Sequence, residues 1–275
     1  MVEIGRIQTL KIHHIDEHGA WLEEGRESVL LPMREVSSEA KAGDALTVFV
    51  TLDAAEKLLA TLSLPKAQLG EFALLKVKEV TRHGAFLDWG MPKDLLVPYS
   101  EQPERMRTGH KYLVRVCLDN RGRVVATARI DECLETEVKD LQEGDNVELM
   151  IWNYTDLGAK VIINGLYGGL LYKDELRSGL KRGDRLQGYV KTLRADGKID
   201  VTLRQGGVEG IETAKKVIVA ALQKDGFLPL HDKSSSWEIQ KALGMSKKTF
   251  KKAVGGLYKE KRVELADDGV RLKKP

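Results

Sequence analysis

Three copies of one glycine-spaced pattern constrain this chain more than any other feature. Gly5, Gly70 and Gly144 each open a strand-like run. Fourteen residues on, each run meets a Gly-Ala pair, at Gly19-Ala20, Gly84-Ala85 and Gly158-Ala159. A third glycine, Gly43, Gly109 or Gly183, then opens another run. The blocks close at Lys57 to Thr61, Arg123 to Thr127 and Lys198 to Thr202. The copies are offset by 65 or 66 residues and then by 74 or 75. A shared register at this period marks repeated small domains, because solenoid units are shorter. The expected domains are residues 1–63, 64–131 and 141–205, with a fourth module at 210–275.

The second repeat is the clearest. Phe72, Leu74, Val77 and Val80 punctuate a first strand, and residues 84–90 form a second that ends at Gly-Met-Pro. Short strands follow at 94–98, 112–118 and 123–127, the last two joined by an Asp119-Asn120-Arg121-Gly122 turn. Five short strands with turn signals and little helix predict a small closed barrel of OB-fold size. The chain is therefore expected to be mainly β, three tandem barrels followed by an α+β module.

The pattern Gly70, Val77, Val80, Gly84-Ala85-Phe86, Leu96-Val97, Gly109, Asp119 and Arg123 resembles an S1-type RNA-binding domain. The resemblance implies single-stranded RNA crossing one barrel face. Its contact positions fall on His83, Phe86, Pro98, Asp119 and Arg123 in the second repeat, and on His18, Trp21, Pro32, Asp53 and Lys57 in the first. In the third they fall on Leu157, Lys160, Tyr172, Arg194 and Lys198, so both stacking rings are lost while Tyr172 and three cations are gained. A ring on an open β face gives a base about 1–3 kcal/mol of stacking. A nearby Arg or Lys neutralises phosphate. Strand alternation leaves Trp21 and Phe86 open to two readings, surface platform or barrel core. His18 and His83 fit a ligand contact or a turn, and Asp53 and Asp119 fit a contact or a hairpin shaper. Tyr154 aligns with Ile15 and Val80 and is expected in the core, whereas Trp152 is an unexplained aromatic.

The tail is basic. Residues 210–275 hold 15 Lys/Arg and 8 Asp/Glu, a net +7, which leaves −4 on the rest of a chain of net +3. Such asymmetry points to nucleic acid or an acidic surface. Apolar periodicity predicts a helix at 211–224, with Ile211, Ala214, Val217, Ile218, Ala221 and Leu222 on one face. Ser235 or Ser236 caps a second helix ending at Gly244, and Ser246 caps a third. The third carries an apolar stripe of Phe250, Val254, Leu257 and Tyr258, with Lys247, Lys248, Lys251 and Lys252 on another side. Gly255-Gly256 late in it suggests close approach by another backbone. Two strands around Ala266-Asp267-Asp268-Gly269 complete the order of a winged helix. The four lysines suit phosphate contact, and residues 247–259 contain no Arg, Asn or Gln to read base edges.

Across its length the chain resembles the conserved virulence factor B family of YitL-like proteins. The phrases that carry the likeness are Val29-Leu30-Leu31-Pro32, Gly84-Ala85-Phe86-Leu87-Asp88-Trp89-Gly90, Lys93-Asp94-Leu95-Leu96-Val97-Pro98 and Met245-Ser246-Lys247-Lys248-Thr249-Phe250. The resemblance implies RNA binding tied to control of gene expression, and no catalysis. No phosphate loop occurs, and the six histidines lack acidic or Cys neighbours at ligand spacing, so no enzyme, metal or cofactor is expected. With 42% hydrophobic residues, no apolar run of membrane length and no secretory leader, a cytoplasmic protein is expected. Two cysteines make no disulfide framework, and Cys117 reads as a buried thiol with Cys133 in a linker. The expected partner is single-stranded RNA, with the ribosome or transcription machinery as a further candidate. The competing classes are a DNA-binding regulator and an interaction scaffold that use the winged helix.

Overall fold

Alternation of buried and exposed residues builds the first repeat from β1 (Ile7–Ile15), β2 (Gly19–Glu24), β3 (Glu27–Pro32), β4 (Ala45–Leu52) and β5 (Leu58–Thr61). The structure is a computed structural model that describes residues 1–273, apart from 26, 54, 177, 178, 205, 206 and 267. Leu10, Ile12, Ala20, Leu22, Val29 and Leu31 turn inward to one core. The strands run β1-β2-β3-β5-β4 and close into a barrel, with β5 parallel to β3 through Leu30 and Leu59.

The second repeat supplies β6 (Phe72–Thr81), β7 (Gly84–Asp88), β8 (Leu95–Pro98), β9 (Lys111–Leu118) and β10 (Val124–Thr127). The closure expected from sequence is incomplete here, because the sheet order β10-β9-β6-β7-β8 has no ladder joining β8 to β10. The buried Gln102 side chain instead donates to the Val97 carbonyl of β8 at 2.8 Å. The third repeat contributes β11 (Asn146–Tyr154), β12 (Gly158–Ile163), β13 (Tyr167–Tyr172), β14 (Arg185–Leu193) and β15 (Ile199–Thr202) in the order of the first, as a closed barrel.

The repeated glycine of the Gly-Ala pair has a steric cause. A Cβ on Gly19, Gly84 or Gly158 would lie 2.0, 2.2 or 2.1 Å from the carbonyl oxygen of Leu31, Val97 or Leu171. All three have positive φ, between 145° and 156°. Only glycine permits this approach of the third strand to the second. The first strand of each repeat also shifts register at one place, between Ile12 and His14, Val77 and Glu79, and Ile151 and Asn153. The bulges keep the 65- and 74-residue offsets of the sequence repeat.

The chain divides into two compact units, residues 1–138 with 148–186, and residues 139–147 with 187–275. In the first unit the first two repeats share a core. Phe49 of β4 is fully buried among Leu75, Val77, Leu87 and Val114, and its ring meets Trp89 edge-on at 5.6 Å. Across the same junction, Leu69 N donates to Gly5 O at 2.8 Å and Ile7 N donates to Gln68 Oε1 at 2.7 Å. A further cluster joins Phe72, Leu113 and Ile130 to Met150 and Ile162.

In the second unit, α1 (Gly207–Asp225), α2 (Ser236–Leu243) and α3 (Lys247–Lys259) pack around Ile218, Leu222, Ile239, Phe250 and Leu257. Ser235 caps α2 in a capping box with Glu238, and Ser246 caps α3. β17 (Val263–Ala266) and β18 (Gly269–Leu272) form the expected hairpin, although its turn residue at 267 lies outside the described residues. A two-residue strand, β16 (Phe227–Leu228), adds a third strand through β18 and was not foreseen. Two residues placed on apolar faces are exposed, Val217 on α1 and Tyr258 on α3, and Ala253 takes the inner place on α3. What approaches Gly256 is a side chain and not a backbone. A Cβ there would lie 2.5 Å from Lys215 Cε, and Lys215 is buried in ion pairs with Glu212 and Glu260.

Burying a Phe across a junction and then removing it costs about 3–5 kcal/mol. Phe49→Ala is therefore expected to weaken the first two repeats by about that much, read by urea unfolding. A loss below about 1 kcal/mol would show that the junction does not depend on this ring.

Candidate nucleic-acid interface

On β2 and β7 the inward positions are taken completely. Ala20, Leu22, Ala85 and Leu87 have no solvent exposure, and the residues between them, Trp21 and Phe86, are half-buried on the opposite side of their strands. Placement decides between surface and core in favour of the surface. Trp21 faces Leu30 of β3 on one side and His14 of β1 on the other. The His14 and Trp21 rings are stacked, with centroids 6.1 Å apart and planes 15° from parallel. Trp21 Nε1 donates to Asp16 Oδ2 at 2.8 Å, which fixes the ring's edge and leaves its other face unclaimed by these contacts. The Asp16 carboxyl is held below the usual carboxylate range, first by that indole bond, with backbone bonds from His18 and Gly19 assisting against the opposing effect of burial.

Phe86 lies between Glu79 of β6 and Leu96 of β8. His83 is exposed in the preceding turn, where its Nε2 accepts from Arg82 Nε at 3.1 Å. His18 is equally exposed, its amide held by Asp16 Oδ1 at 2.8 Å and its carbonyl by Met33 N at 2.9 Å. Beside His83, the Tyr99 hydroxyl donates to Thr81 O at 2.7 Å, and Arg105 covers the Tyr99 ring at 3.9 Å.

The last hairpins place their charges mostly against one another. Asp119 Oδ1 accepts the amides of Arg121 and Arg123, both at 2.9 Å, and Oδ2 pairs with the Arg123 guanidinium at 2.6 Å. Partial burial pushes the Asp119 carboxyl up, but Arg123 and the two amides outweigh it and hold the group low. Asp53 accepts the Ala55 and Lys57 amides in the same way at 2.8 and 2.9 Å, and the Lys57 side chain stays exposed. Both aspartates thus shape their turns. In the third repeat Arg194 forks onto Asp200 at 2.8 and 3.0 Å, and the exposed Lys198 pairs with Asp196 at 3.0 Å.

The remaining third-repeat positions differ from open platforms. Lys160 lies over the Trp152 ring at 4.8 Å and pairs with Asp131 at 3.2 Å. Trp152 is the bulged residue of β11 and is half-buried. Tyr172 is half-buried opposite Gly158, the register place held by Pro32 and Pro98 in the other repeats. Tyr154 is not core. It is 44% exposed, its hydroxyl donates to Leu180 O at 2.7 Å, and its counterparts Ile15 and Val80 are exposed with it. Cys117 and Cys133 are only half-buried, and burial, with Glu101 next, pushes the Cys117 thiol up to about 11. On α3, Lys248, Lys251 and Lys252 are exposed and Lys247 half-buried, with Lys251 3.9 Å from Asp232. The residues missed from sequence are His14, Asp16, Tyr99 and Arg105. The two rings Trp21 and Phe86 take outward strand positions, and Lys248, Lys251 and Lys252 of α3 are exposed.

Comparison with known proteins gives this arrangement a family. Residues 4–63 and 69–129 match the S1 domain, and residues 216–272 match the CvfB-like winged helix domain. The YitL protein of Bacillus subtilis is 27% identical, covering 94% of this chain and 90% of its own. Conserved virulence factor B of Staphylococcus epidermidis is 26% identical over 90% of this chain and 87% of its own.

The chain belongs to the conserved virulence factor B family.

A crystal structure of a Streptococcus pneumoniae multidomain protein with nucleic acid binding domains is 23% identical, covers 98% of each chain and has a TM-score of 0.40. Neither matched domain family is catalytic, and their presence suggests nucleic-acid binding. No helix among the described residues is long and apolar enough to cross a membrane. No cluster of His, Cys, Asp or Glu among them could hold a metal ion.

The Asp16–Trp21 bond has a pH signature. A carboxyl whose pKa falls on folding stabilises the fold above its unfolded value and loses that contribution as pH drops through the folded one. The indole N–H resonance of Trp21 is expected to shift on acidification with a midpoint below the ordinary 3.8. A midpoint at or above 3.8 in an NMR titration would contradict the assigned bond.

Proposed function

We propose that this protein is a non-catalytic, cytoplasmic RNA-binding protein that holds single-stranded RNA on its S1-type barrels and its basic winged helix. The observation that carries the reading is the outward placement of Trp21 and Phe86 over fully buried inner neighbours. A ring so placed stacks on an unpaired base and cannot reach one inside a duplex. The modules are taken as residues 1–63, 64–131, 141–205 and 210–275. The −4 of the residues before 210 leaves stacking to supply much of the barrels' affinity, whereas the +7 of the tail favours counterion release. Lys248 and Lys252 have no ion-pair partner among the described residues, which suits phosphate contact. The absence of Arg, Asn and Gln from residues 247–259 argues against base-specific reading of duplex DNA. RNA binding without base-specific chemistry in the helix suits post-transcriptional control of gene expression, the role proposed here.

A second reading for the winged helix is docking to the ribosome or to polymerase. Trp237 of α2 favours it, being 68% exposed with Lys241 Nζ 4.7 Å over its ring.

Trp21→Ala and Phe86→Ala are each expected to weaken binding to unstructured RNA by about 1–3 kcal/mol and to leave the fold intact. A lower melting temperature with unaltered affinity of the folded protein would return both rings to the core. Replacing Lys247, Lys248, Lys251 and Lys252 with Ser is expected to flatten the salt dependence by about 0.7 per lost phosphate contact. Preference among RNA sequences should change little. An unchanged slope assigns the winged helix to protein docking, and tighter binding of duplex DNA than of unstructured RNA sinks the main proposal.

A further inference from the structure

Where β4 places Phe49 against the neighbouring repeat, the matching position of β9 holds Arg115. The match follows from register, since Ile7 pairs with Phe49 and Phe72 pairs with Arg115. An arginine thus replaces the ring that seals the first junction. It lies in a cleft of about 660 Å³ within the first compact unit, lined also by Arg6, Gly70, Arg185 and Met150 and by the carboxylates of Glu71 and Glu148.

The Arg115 guanidinium is oriented without a carboxylate. Its Nε donates to Gly70 O at 3.1 Å, its Nη1 to Cys133 O at 3.4 Å, and its Cζ lies 5.6 Å from the Phe72 ring centre. These contacts leave Nη2 without a hydrogen-bond partner among the described residues. Arg6 has one ion-pair contact, from Nε to Glu3 at 3.8 Å. The Nη2 atoms of both arginines lie 3.9 Å from the point where a Cβ of Gly70 would stand. The two guanidinium ends are thus at most twice that distance apart, facing one spot that a glycine leaves open. Arg185 donates to Phe72 O at 3.1 Å and pairs with Glu148 on the same cleft wall.

Two guanidinium ends whose Nη2 atoms face a bare glycine, with only Glu3 among the described residues paired to either arginine, match the forked donor geometry that binds phosphate. The floor is apolar, with Met150 and Ile162 nearly fully buried. We propose that Arg6 and Arg115 clamp one backbone phosphate of single-stranded RNA at Gly70. The site rests on the RNA-binding reading and adds to it a contact beside Phe72 at the start of β6, whereas Phe86 pairs with Glu79 near the end of that strand. A phosphate contact there carries no base information, so it sets the register of the strand and not its sequence.

The test uses the full chain and a short fluorescein-labelled oligouridine, titrated by anisotropy across a salt series. Arg6→Gln and Arg115→Gln are expected together to reduce the slope of log affinity against log salt by about 0.7, each supplying part of that loss, whereas Phe86→Ala leaves the slope nearly unchanged. If Arg115→Gln lowers the melting temperature, Arg6→Gln, at a half-buried residue, carries the test alone. Wild-type binding with unaltered slopes in both arginine variants overturns the clamp and leaves the RNA-binding reading intact. A wild type that binds no oligouridine overturns both.

Discussion

At three places a backbone carbonyl of one strand stands where the next strand's side chain would begin. The Leu31, Val97 and Leu171 oxygens come within 2.0 to 2.2 Å of the Cβ that Gly19, Gly84 and Gly158 lack. That close approach sets the register of the second and third strands in every repeat. With register set, Ala20, Ala85 and Ala159 must point inward, and Trp21, Phe86 and Lys160 must point outward. A one-residue slip would exchange the two sets and bury the rings. The outer face of each barrel therefore follows from a missing side chain. The first-strand bulge repeats at the same offsets and brings His14 opposite Trp21, Glu79 opposite Phe86 and Asn153 opposite Lys160.

On this shared frame the three repeats have diverged in what they offer. The first presents an indole locked by Asp16 and backed by His14. The second presents a phenyl ring near exposed His83, with Arg123 engaged by Asp119. The third has exchanged the ring for Lys160, tied to Trp152 and Asp131. Junctions have diverged as well, with Phe49 sealing one and Arg115 lining a cleft at the other. Sequence departure of the third repeat and its altered contacts are one fact seen twice, and the S1 domain matches fall on the first two repeats.

Much of the fold was legible because its determinants are local. Glycine register, serine caps before α2 and α3, and the apolar faces of the helices all act within a few residues of themselves. What escaped detection acts across longer distances or in too few residues. β16 is two residues long and has no period to read. His14 sits beside Trp21 only because a bulge shifts β1, and a bulge has no spacing signal in β1 itself. Tyr258 and Val217 satisfy helical periodicity at the margins of their stripes yet face solvent. The approach to Gly256 comes from Lys215, on another helix. Among the candidate site residues, sequence named the outward rings, but the partners that occupy Arg123, Arg194 and Lys160 became visible only with side chains placed.

The central claim is that the outward position of the second strand is where RNA lies. Photocrosslinking of full-length protein to thiouridine-substituted single-stranded RNA, with the modified residues located by mass spectrometry, tests it most directly. The account predicts adducts within residues 12–24 and 77–90, the bulge-to-ring segments of the first two repeats. Adducts confined to the winged helix, with none in either segment, would contradict it.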